Sequence, residues 1–102
     1  MDAKAFRATL NDDAPPQNVA VPLTALWWDA KGDWARAHGL VDELETQDGM
    51  AVHAYLHRKE GDTSNAAYWY NRAHQPVCAL SLDAEWEQIA SALLARETRA
   101  RN

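Results

Sequence analysis

The dipeptide Gly-Asp occurs at Gly32-Asp33 and again at Gly61-Asp62, and the stretches around the two copies match at an offset of 29 residues. A glycine that tolerates left-handed backbone ends one helix, and an aspartate whose short side chain accepts from free N–H groups starts the next. Each pair therefore reads as the turn of a helical hairpin. Before the first turn, Leu23, Leu26, Trp27 and Ala30 recur at intervals of three and four, and after it Ala37, Leu40, Val41 and Leu44 do the same. "TQDG" at 46–49 is a break, and a third helix runs from about Met50 to the second turn. Beyond that turn Ala66, Tyr70 and Ala73 take the places of Ala37, Val41 and Leu44. Ala25 and Ala54 also correspond, small residues where paired helices approach closely.

The expected fold is all-α, with two stacked antiparallel helical hairpins. Pro76 closes the fourth helix. A C-terminal helix from near Ser81 or Asp83, with Leu82, Trp86, Ile89, Ala90, Leu93 and Leu94 on one face, caps the exposed apolar side. "NDDAPPQNVAVP" separates this from the start of the chain, so residues 1–22 read as an N-terminal arm and linker and 23–102 as a single helical domain. Phe6 and Leu10, one helical turn apart, are the anchors of an arm expected to dock loosely.

"GDTSNAAYWYNRA" and, in part, "GDWARAHGLVDEL" resemble tetratricopeptide and Sel1-like hairpins, in which a small residue and an aromatic precede "GD" and Ala, aromatic and Ala follow. The offset of 29 is shorter than the usual repeat of about 34 residues, which shortens the link between hairpins. The resemblance implies a binding module and carries no chemistry. The block "HAYLHRKEGD..NAAYWYNRA", with "LWWDAKGDWARAH" before it, also resembles a group of microbial proteins to which no activity is attached.

Charge narrows the partners. The net charge is −5 and no basic stripe follows a helical face, which argues against nucleic acid and anionic membrane. Arg96, Arg99 and Arg101 complement the dipole of the last helix instead. Cys78 is alone, so no disulfide forms within the chain, and "MDAKAFRATL" lacks the apolar run of a signal peptide. A reducing cytoplasm is the expected setting. No stretch approaches the roughly 20 apolar residues of a membrane span.

The unusual stretch is the third helix. At about 100° per residue, His53, His57 and Glu60 lie in one arc flanked on both sides by apolar positions, where a core is expected. On the next helix Asn65, Tyr68 and Arg72 form a second polar line. Tyr68, Trp69 and Tyr70 span too wide an arc for one core, so at least one ring faces a groove or surface. A shared pocket would use His53 or His57 as a base that titrates near neutrality, Glu60 to orient it, and Arg72 to hold an anion. This is the small-molecule or hydrolytic reading. The same residues also suit a satisfied polar network that fixes hairpin register.

H-x-x-x-H plus a carboxylate is metal-ligand spacing, yet a third and fourth ligand are not evident, so no metal and no cofactor is expected. The leading expectation is a protein or peptide binding module, with Tyr55, Arg58 and Lys59 facing away from the histidines to form its groove. Whether the chain is an enzyme stays open. His38 reads as packed under Trp34, Cys78 as a small apolar filler, and His74 as a residue at a helix C-terminus.

Overall fold

The computed structural model describes residues 1–101; Asn102, the last residue of the expected domain, and the side chains of Ala100 and Arg101 lie outside the described part. All regular elements among the described residues are helical: α1 (Ala3–Ala8) with a 3-10 turn at Thr9–Asn11, α2 (Val21–Ala30), α3 (Trp34–Val41), α4 (Gln47–Lys59), α5 (Thr63–Arg72) and α6 (Leu82–Arg101). The all-α expectation holds. No helix among them is long and apolar enough to cross a membrane.

The two Gly-Asp turns are built alike. Gly32 and Gly61 have φ of +91° and +90°, and each N–H donates to the carbonyl three residues back. The N–H of Asp33 reaches Trp28 O at 2.9 Å, and that of Asp62 reaches His57 O at 3.0 Å, completing Schellman closures. Asp33 Oδ1 then accepts from the Arg36 N–H and Asp62 Oδ1 from the Asn65 N–H. A Cβ at Gly61 would meet nothing within 4 Å, so the obstacle to substitution there is the backbone conformation alone. Gly61→Val is expected to lose about 1 kcal/mol or more in a urea titration, because a β-branched residue is strained at positive φ. A neutral result would mean that the turn does not need its left-handed residue. The same closure ends α5 with His74, at φ 58°, in the glycine position.

Among the matched apolar positions of the repeat, all but the partly buried Leu44 are buried. Ala25, Ala54 and Ala37 have no exposed surface and Ala66 has 2 %, so α2 against α3 and α4 against α5 meet through small residues. Leu40, expected on the buried stripe of α3, is instead exposed, because the face of that helix turned to the core runs through Ala37 and Val41, with Trp34 and His38 partly covered beside it.

Helix α4 lies at the centre, in contact with α2, α3, α5 and α6. Every residue from Val52 to His57 is buried as a result. Two carboxylates tie it to its neighbours. Asp29 of α2 accepts from the Tyr55 hydroxyl at 3.1 Å and from Lys59 Nζ at 3.0 Å. Glu85 of α6 accepts from Arg58 at 2.8 Å and from the Tyr70 hydroxyl at 2.6 Å. Arg58 also donates to Leu80 O.

The N-terminal arm docks firmly, which corrects the loose docking expected. Phe6 has no exposed surface and stacks on Trp86, with ring centroids 5.8 Å apart. Arg7 lies 4.6 Å over the same indole and pairs with Glu87 at 2.8 Å, while Trp27 Nε1 donates to Thr9 Oγ1. Anchors four apart were legible in the sequence; the partner ring eighty residues away was not.

Candidate functional site

His53 and His57 sit one turn apart on α4, and Trp34 and His38 repeat that spacing on α3, so each pair shares one helical face. Packing α3 against α4 turns these faces toward each other. His38 Nε2 and His53 Nε2 are 3.1 Å apart, and one ring nitrogen from each of His38, His53 and His57 lies within 4.8 Å of the other two. Two indoles wall the group. Trp34 stacks on His38 with planes 8° from parallel, and Trp69 stacks on His53 at a centroid distance of 4.0 Å. Trp34 is itself fixed by donating Nε1–H to Leu56 O at 2.8 Å.

Burial grades across the three rings. His53 is 2 % exposed and His57 7 %, whereas the His38 side chain retains 23 % of its surface and is the side open to solvent. Burial, reinforced by His57 and His38, pushes the pKa of His53 down to about 4, so its ring is neutral at physiological pH. Carboxylates stand at the edges: Glu60 Oε1 is 3.4 Å from His57 Nδ1, and Asp42 Oδ1 is 3.8 Å from His38 Nε2. With Nδ1 of His57 facing Glu60, its Nε2 is the nitrogen left for the other two rings.

The polar network does not close. His53 Nδ1 is buried without a hydrogen-bond partner, and no other buried side-chain polar atom among the described residues shares that condition. Assigning tautomers does not remove the defect. If His53 Nε2 accepts from His38, the proton on Nδ1 has no acceptor; if it donates, the Nδ1 lone pair has no donor.

Of the six residues expected to form one pocket, His53, His57 and Glu60 come together. Tyr68 and Arg72 gather on Trp69 instead, with the Arg72 guanidinium 5.0 Å over that indole and 3.7 Å from Glu45. Asn65 contributes its N–H to the Asp62 cap. Tyr68, 55 % exposed, is the ring the helix cannot bury. His38, read from sequence as packing under Trp34, does pack there and also completes the cluster. The Trp34–His38 spacing was the signal for this, but only the packing of α3 on α4 shows what that face meets.

The expected groove of Tyr55, Arg58 and Lys59 is not formed. Tyr55 is 2 % exposed with its hydroxyl on Asp29, and burial pushes its phenol pKa up. Arg58 and Lys59 are committed to Glu85 and Asp29. The physical reason is the central position of α4, whose side opposite the histidines is also covered. Three cavities, of about 420, 390 and 610 Å³, border α6, and none is lined by a histidine.

Comparison with known proteins found no match among protein families, curated proteins or solved structures.

Proposed function

We propose that this chain is a ligand-binding protein whose working part is the imidazole cluster of His38, His53 and His57, with Glu60 behind it. The observation that carries this reading is the orphaned nitrogen of His53. A network kept only to hold helices together closes on itself, since an unpaired buried polar atom costs about 1–3 kcal/mol. Residues retained for binding commonly conflict with packing in this way. The burial of Tyr55 and the ion pairs of Arg58 and Lys59 favour the small-ligand reading over a protein-docking groove on that side of α4.

His53→Leu tests this, because leucine has a volume close to that of histidine and no polar atom. With metals chelated, the variant is expected to match or exceed the stability of the parent, by up to about 1 kcal/mol in urea, since the orphaned nitrogen is gone. A loss of more than about 1 kcal/mol would identify the cluster as a structural network whose remaining imidazoles had been left unpaired.

A further inference from the structure

We propose that His38, His53 and His57 are the protein ligands of one divalent transition-metal ion of the zinc type, an assignment that rests on the cluster being the working site. Two ligand nitrogens about 2.0 Å from a tetrahedral ion stand about 3.3 Å from each other, and two Nε2 atoms already stand 3.1 Å apart. The third ring is close: His57 has centroid distances of 4.7 Å to His53 and 5.1 Å to His38, so a small rotation brings its free nitrogen to the same point. An ion needs no cavity of molecular size.

The donor set selects the ion. Imidazoles are borderline ligands that suit zinc, copper and nickel, and calcium and magnesium prefer oxygen. Part of the support that a metal site uses is in place around two of the rings and behind His57, while His53 Nδ1 has no protein partner and is left for a water. Stacking on Trp34 and Trp69 fixes two of the rings, and Glu60 opposite His57 Nδ1 sets the tautomer that aims Nε2 inward. Glu60 and Asp42 supply negative charge against the ion. The partly exposed edge of His38 is the way in and the side on which a fourth position stays open. Because His38 and the α4 pair belong to different hairpins, neither hairpin contains the site alone.

Purified, tag-free protein treated with a chelator would be titrated with cobalt(II) for its visible spectrum and with zinc(II) by calorimetry. One equivalent of each is expected to bind, with the absorption of a low-coordinate cobalt site. His38→Ala, a change at the most exposed ligand and so least harmful to folding, and His57→Ala should each weaken zinc by more than about 100-fold, and Glu60→Gln by about 10- to 100-fold. Circular dichroism verifies that each variant is folded. Absence of both signals in the folded parent, or unchanged binding in His38→Ala and His57→Ala, would overturn the assignment. If metal fails while His53→Leu keeps its stability, the ion is wrong and the site stands; if His53→Leu is also destabilised, both readings fall together.

Discussion

Trp86→Ala is expected to destabilise the protein by about 3–5 kcal/mol, the range for emptying a buried tryptophan site. The residue is 3 % exposed and joins three parts of the chain at once. Its ring stacks on Phe6 of α1 and lies under Arg7, and its Nε1 donates to Leu26 O of α2 at 2.9 Å. Truncation leaves a cavity and an arm without its platform. Urea titration measures the loss. A loss below about 1 kcal/mol would show that α6 is held by its other apolar residues, Ala90, Leu93 and Leu94, without this one.

Glu85→Ala is expected to cost a similar amount, about 3–5 kcal/mol, by a different mechanism. Its carboxylate, 4 % exposed, answers both Arg58 and the Tyr70 hydroxyl. Removing it leaves a guanidinium without its counter-charge and a buried phenol without an acceptor. Replacing the whole trio, as Glu85→Leu with Arg58→Met and Tyr70→Phe, should recover much of the loss, because an apolar set of similar volume has no desolvation penalty to offset. If the triple variant were no more stable than Glu85→Ala, the damage would be lost packing rather than unpaired charge.

The turns and the repeat were legible because they are local. Gly32, Asp33, Gly61 and Asp62 act within their own helix ends, and the alanines at matching positions mark close approach whatever lies beyond. The third Schellman closure was hidden because His74, not glycine, fills the left-handed position. Tyr55 was misplaced for another reason. Helical periodicity tells which residues share a face, and it does not tell that a central helix is covered on both faces. The same limit applied at the site, where His53, His57 and Glu60 were found from spacing on one helix. Their third imidazole comes from a neighbouring helix, and no pattern along the chain reports that meeting. Buried carboxylates also break the rule that charge marks the surface, and both were invisible until their partners were known.

The seating of α1 on α6 has a consequence for how the protein comes apart. The Arg7–Glu87 pair closes a loop of eighty residues, so the contact forms only after everything between has been gathered, and its closure entropy is recovered only by the finished fold. Contacts between segments this distant in sequence slow folding, because the loop between them must close before they form. Opening the arm uncovers Phe6 and Trp86 together, which loosens α6 and with it the cover of α4. The segment that reads as an appendage is one jaw of a clasp that joins the start of the chain to its last helix.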